Sequence, residues 1–117
     1  MKYALLIYRG SYPQAGSEAW NAMPAEKQKA LSAEYVAFNA LPGVDSGFPL
    51  GSPSEARTVR VRGGKIEVAE GSYFPEGVTS CKFVEAESLE AALEIAAKIP
   101  AARLGGAVEV RPVQRYW

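Results

Sequence analysis

Glu70-Gly71-Ser72-Tyr73 is the stretch of this chain whose residue types best combine into a site. A carboxylate at a strand end beside a cavity can act as a general base or hold a cationic group. Gly71 would let the backbone turn or approach a ligand closely, and Tyr73 adds an aromatic face. The plainer reading is that Glu70 orders the turn by accepting hydrogen bonds from backbone amides. Arg103, Glu109 and Arg111 form a second set. Glu109 and Arg111 alternate onto one face of a strand, with Arg103 in the loop before it. Two guanidiniums and a carboxylate suit an anionic ligand, because arginine pairs bidentately with carboxylate and phosphate. The favoured reading of these three is nonetheless a structural salt-bridge network. Tyr8 and Arg9 end the first apolar run; either they reach a ligand or they form a half-buried aromatic and a solvated strand end. Cys81 falls on the apolar side of an alternating strand, where packing is expected rather than reactivity.

What these residues lack narrows the chemistry further. The 117 residues include no histidine and one cysteine. That excludes an imidazole base, a histidine-ligated metal, a Ser-His or Cys-His dyad, an internal disulfide and any multi-cysteine metal site. Carboxylates alone rarely hold iron or copper, so neither a metal nor a cofactor is expected. Thirteen basic and thirteen acidic residues give zero formal charge, which argues against an electrostatic grip on nucleic acid. The apolar run Tyr3–Tyr8 falls short of the ~7–15 residues of a secretory signal core. No stretch approaches the ~20 apolar residues of a membrane span. A cytoplasmic protein with no membrane partner is expected. Gly63-Gly64 and Gly105-Gly106 lack the spacing that cradles a phosphate.

The elements that must position these side chains follow from patterning. At 48% hydrophobic and 22% charged, residues 1–117 read as one globular domain. Tyr3–Tyr8 is apolar on both alternating faces, which marks a central strand covered on both sides. Ser17 caps a short helical turn near Trp20, and Pro24 opens a longer helix in which Leu31, Tyr35, Phe38 and Leu41 recur at helical spacing. Pro42-Gly43 stops that helix, and the segment to Arg57 reads as irregular, with a short strand near Phe48–Leu50. Thr58–Arg62 and Lys65–Ala69 alternate on either side of Gly63-Gly64, a hairpin signature. A strand near Thr79–Glu85 follows. Ser88 then caps a helix whose buried face is expected to carry Leu89, Ala92, Leu93, Ala96 and Ile99, ended by Pro100. Ala107–Val113 is the last strand, its Pro112 pointing to an edge. Tyr116-Trp117 is an aromatic tail, either packed at an interface or frayed.

The order β-α-β-β-β-α-β predicts an α+β fold: a ferredoxin-like sandwich with two helices on one face of a mainly antiparallel sheet. Val59, Val61, Ile66, Val68, Cys81, Phe83, Val108 and Val110 are expected to meet the helices. Arg60, Arg62, Glu67, Lys82, Glu109 and Arg111 are expected on the other face, joined there by apolar side chains of the first strand. Such a mixed face suits a second copy of the chain, enclosing a partly polar cavity, better than it suits water. A solvated face with cross-strand ion pairs is the alternative.

The opening MKYALLIY, the TVRVRGGKIEV hairpin with its acidic-Gly pair, and the ending IPAARLGGAVEVRPV resemble the YCII-related family, in its DGPF-containing branch. The resemblance covers nearly the whole chain. It implies a homodimeric α+β barrel built through the sheet. Where that branch has Asp-Gly-Pro-Phe, this chain has Glu70-Gly71-Ser72-Tyr73. Related YCII proteins are associated with a His-Asp pair, which a chain without histidine cannot supply.

Two functions are carried forward. One is a small-ligand protein, with or without catalysis, that binds an anionic metabolite in a cavity between sheets through Glu70 as candidate base and Tyr8, Arg9, Gly71, Tyr73, Arg103, Glu109 and Arg111 as ligand contacts. The other is a non-catalytic structural or regulatory dimer module.

Overall fold

A computed structural model describes residues 1–74 and 77–114. The Tyr116-Trp117 tail lies outside the described residues. In chain order the elements are β1 (Lys2–Tyr8), α1 (Glu18–Asn21), α2 (Ala25–Asn39), β2 (Val44–Pro49), β3 (Arg57–Arg62), β4 (Lys65–Glu70), β5 (Ser80–Glu85), α3 (Leu89–Ala96) and β6 (Ala107–Pro112). Short 3-10 turns lie at Pro53–Glu55 and Pro100–Ala102. The architecture is α+β.

Four strands form an antiparallel sheet in the order β2-β5-β1-β6. β1 is central, as its two apolar faces require, and β6 with its terminal Pro112 is an edge. Tyr3, Leu5 and Ile7 point to the helices and are buried with Phe38 of α2, Val84 of β5 and Ala92, Ala96 and Ile99. Ser17 and Ser88 cap α1 and α3 by accepting from the Trp20 and Ala91 amides. Leu89 and Leu93, expected inside, are exposed. The contact stripe of α3 is instead Ala92 and Ala96, with Ile95 packed beside them.

Three further expectations are corrected. First, β3 and β4 do not join the main sheet but form a separate two-stranded one. Their apolar side is left bare, with Val59, Val61, Ile66 and Val68 at 61%, 65%, 74% and 63% exposure. Second, β2 begins at Val44, ahead of the expected strand, because a register shift between Asp45 and Phe48 breaks the alternation by which strands are read. Third, the faces of β5 are exchanged. Leu5 pairs with Lys82 and Leu6 with Cys81, so Lys82 points toward the helices while Cys81 and Phe83 point away. In a strand of period two, one step of register moves every side chain to the other face.

The side of the sheet away from the helices therefore carries Ala4, Leu6, Tyr8, Cys81 and Phe83 beside Glu109 and Arg111. Phe48 of β2 adjoins them at 81% exposure. The radius of gyration is 16.2 Å, against roughly 13 Å for a compact domain of this length. The shortest dimension is 19 Å, about two layers of secondary structure.

Candidate functional site

A half-open cavity lies on the helix side of the sheet, between its β1–β5 portion, α2 and the loop after β1, with a volume of about 540 Å³. That is within the usual range for small-molecule sites, ~300–1,000 Å³. Ile7, Trp20, Leu31 and Leu50 supply apolar wall; Arg9, Tyr12, Tyr35, Asn39 and Lys82 supply polar groups. No aspartate or glutamate is among the lining residues.

Each polar group is placed by a local device. Arg9 follows directly on β1, at a point where the chain touches the Gly105-Gly106 loop backbone to backbone. A Cβ on Gly10 would overlap the Gly105 carbonyl, and one on Gly106 would overlap the Tyr8 carbonyl. Gly10 also has φ +72°, a left-handed conformation that favours glycine. Trp20 is held by α1, whose carbonyl at Trp20 accepts from the Gln28 side chain at 2.7 Å. Tyr12 and Tyr35 join hydroxyl to hydroxyl at 2.5 Å across the cavity wall.

Lys82 is 6% exposed. Its Nζ donates to Asn39 Oδ1 and to the Ser46 carbonyl, each at 2.9 Å, tying β5 to α2 and β2. Burial without a facing carboxylate lowers its pKa, since desolvation disfavours the ammonium. Tyr35 shifts the other way. Burial first, and then the Tyr12 hydroxyl, hold its phenol well above the usual tyrosine range. It therefore stays a protonated phenol.

Arg9 differs from both. Its Nε is buried and has no hydrogen-bond partner among the described residues. A buried donor without an acceptor costs about 1–3 kcal/mol.

The other candidate residues are dispersed. Glu70 pairs across the hairpin with Arg57 and is exposed. Gly71, at φ +90°, closes the hairpin base: its amide donates to the Ala56 carbonyl and its own carbonyl accepts from Thr58 Oγ1. Tyr73 stacks edge-on with Phe74 and lies 5.4 Å beneath the Arg60 guanidinium. Arg103 is not gathered with Glu109 and Arg111; its Nη2 reaches both carboxylate oxygens of Glu34 on α2 at 2.6 Å. Glu109 and Arg111 pair at 3.9 Å on the exposed sheet face. Tyr8 is half-buried on that same face. Of all these residues only Arg9 lines the cavity.

Sequence reasoning passed over Tyr12, Tyr35 and Lys82. A lysine in Ser80-Cys81-Lys82-Phe83-Val84 was the available signal, since its position decides which face of β5 is apolar. Nothing in the spacing of the two tyrosines, 23 residues apart, announces that they meet.

A family model for the YCII-related domain matches residues 1–116. The chain belongs to that family. No curated protein matches its sequence. Within this YCII-related chain, no helix among the described residues is long and apolar enough to cross a membrane. With no histidine in the chain, the polar groups lining its cavity are guanidinium, ammonium, phenol, hydroxyl, amide and indole groups.

Proposed function

We propose that this YCII-related protein binds a small organic anion in the helix-side cavity, with Arg9 as the anchoring group. The observation that carries this reading is a cavity lined by two cationic side chains, Arg9 and Lys82, with no aspartate or glutamate among its lining residues. Lys82 adds positive charge to the same wall, and the absence of carboxylates there leaves that charge unopposed. Trp20, Leu31 and Leu50 suit an apolar or aromatic body on the ligand. This places the ligand between sheet and helices instead of between two sheets.

The strand order and helix placement support a ferredoxin-like reading, and the bare sheet face supports a homodimeric α+β barrel in which a second copy covers Leu6, Phe48 and Phe83. The Glu70-Gly71 pair and the C-terminal segment favour the DGPF branch. A cytoplasmic location agrees with a single free thiol. The exposed hairpin favours a second reading, a non-catalytic dimer module with no ligand.

Calorimetric titration with phenylacetate, an aromatic monocarboxylate, separates the two. Measurable binding to the wild type that is lost in Arg9→Met supports the anion site. Binding of equal strength in Arg9→Met refutes it, and an inert wild type leaves the dimer module.

A further inference from the structure

The β3–β4 hairpin has an apolar side that its own chain leaves open. Val59 pairs with Val68 and Val61 with Ile66, so the four side chains share one face. The opposite face carries Arg60, Arg62, Lys65 and Glu67. That division suits a sheet covered on one side and wet on the other, yet all four apolar residues are exposed. The hairpin is tied to the rest of the chain at its base. There the Gly71 amide donates to the Ala56 carbonyl at 2.8 Å, and Thr58 Oγ1 donates to the Gly71 carbonyl at 2.9 Å. Two strands without a third strand or a helix against them are marginal in water. The unbroken register from Arg57 to Glu70 therefore calls for a cover.

A second copy of the chain meets that need on three counts. The main sheet has a bare side of its own, where Phe48 adjoins Leu6 and Phe83, so every copy carries both surfaces. Two copies related by a two-fold axis satisfy each other and leave neither surface over. The area is sufficient. A valine or isoleucine about two-thirds exposed offers on the order of 100 Å². Two arms and the faces beneath them then bury roughly 1,600 Å² in total, the size of a stable interface. Charge agrees as well. The hairpin sets Arg57, Arg60, Arg62 and Lys65 against Glu67 and Glu70. The sheet face sets Asp45, Glu85 and Glu109 against Lys2 and Arg111. One surface is net positive and the other net negative, an arrangement that favours their encounter.

We propose that the hairpin is an assembly arm: its Val59, Val61, Ile66 and Val68 side packs on the bare sheet face of a second copy, which returns its own arm. The proposal rests on the homodimer reading above and adds to it the element that holds the pair. The arm lies outside the main sheet, the buried core and the cavity lining, so altering its side chains leaves the subunit's own packing intact.

Sedimentation of the full chain across a concentration series tests it. The double variant Val61→Lys, Ile66→Lys is expected to keep the cooperative urea transition of the wild type and to raise the dimer Kd at least about 30-fold, the loss that follows removal of interface anchors. Arg62→Ala, on the other side of the same hairpin, leaves the Kd unchanged. Mixing decides where the arm sits. The lysine variant keeps an intact face and Phe48→Glu keeps an intact arm, so an equimolar mixture forms more dimer than either variant alone. A mixture that gains no dimer overturns the arm-on-face placement. A lysine variant that dimerises as well as the wild type overturns the arm and leaves the homodimer standing. Amide exchange on the wild type gives a readout that needs no variant to fold: exchange across residues 57–70 slows as dimer forms, and equal rates above and below the Kd overturn the proposal. A wild type that stays monomeric throughout removes the arm and the homodimer together, and leaves the bare hairpin to a different macromolecule.

Discussion

Arg9→Met offers a prediction in which stability and binding move in opposite directions. Methionine keeps an unbranched stem of similar reach, so the wall of the cavity stays filled, but the guanidinium and its orphan Nε are gone. An unsatisfied buried donor costs about 1–3 kcal/mol. Arg9 is only half-buried as a residue, so its other nitrogens retain water and the lower end applies, about 1 kcal/mol. The unliganded variant should thus be more stable than the wild type, with a Tm higher by about 3–5 °C for a domain of this size. Binding should suffer by more. A hydrogen bond to a charged group contributes about 1.5–3 kcal/mol, or roughly 10- to 150-fold in Kd for phenylacetate. Urea unfolding of the free proteins and calorimetric titration of both provide the two numbers. A variant destabilised by about 1 kcal/mol or more, with affinity unchanged, would refute the reasoning, since Arg9 would then be a satisfied structural residue. The expected pattern is that of a functional group held at a cost to the fold.

The remaining predictions address fold, assembly and pH. Light scattering at micromolar concentration should give twice the 12.6 kDa chain mass, and Phe48→Glu, which alters a side chain already exposed in the subunit, should shift the protein toward monomer; a monomeric wild type would remove the dimer. Gly10→Ala should lower stability by more than about 1 kcal/mol, because the new Cβ meets the Gly105 carbonyl at a positive φ; an unchanged Tm would mean the two loops do not touch. Lys82 and Tyr35 should shape alkaline stability with opposite signs. Burial lowers the folded pKa of Lys82, so the unfolded chain holds the extra proton and stability rises with pH until the unfolded value near ~10.4 is passed. Burial raises that of Tyr35, so from about pH 10 the unfolded chain loses a proton that the folded one keeps, and stability falls. Urea unfolding across that range should show the rise missing in Lys82→Met and the fall missing in Tyr35→Phe; profiles identical to wild type would contradict both assignments.

Much of the scaffold was legible along the chain. The doubly apolar Tyr3–Tyr8 run is the central β1, Ser17 and Ser88 are caps, Gly63-Gly64 turns a hairpin, and Pro112 sits on an edge strand. The site was much less legible. Glu70, Gly71 and Tyr73 belong to a hairpin that stands apart from the main sheet, and Arg103 reaches back to Glu34, 69 residues away, instead of toward Arg111. Alternation tells which residues of a strand share a face. It does not tell which neighbour the strand pairs with or what layer covers that face.

Local chemistry thus determined what could be read one element at a time: helix caps, turn glycines, strand periodicity, and the exclusion of every mechanism that needs histidine or paired thiols. Tertiary structure decided the rest. It chose the register that turns Lys82 inward, brought Tyr12 to Tyr35 across 23 residues, and buried Arg9 Nε without a hydrogen-bond partner among the described residues. The reason is that a donor's partner is set by distance in space, and for these groups that distance depends on how separate elements pack, which no stretch of sequence contains.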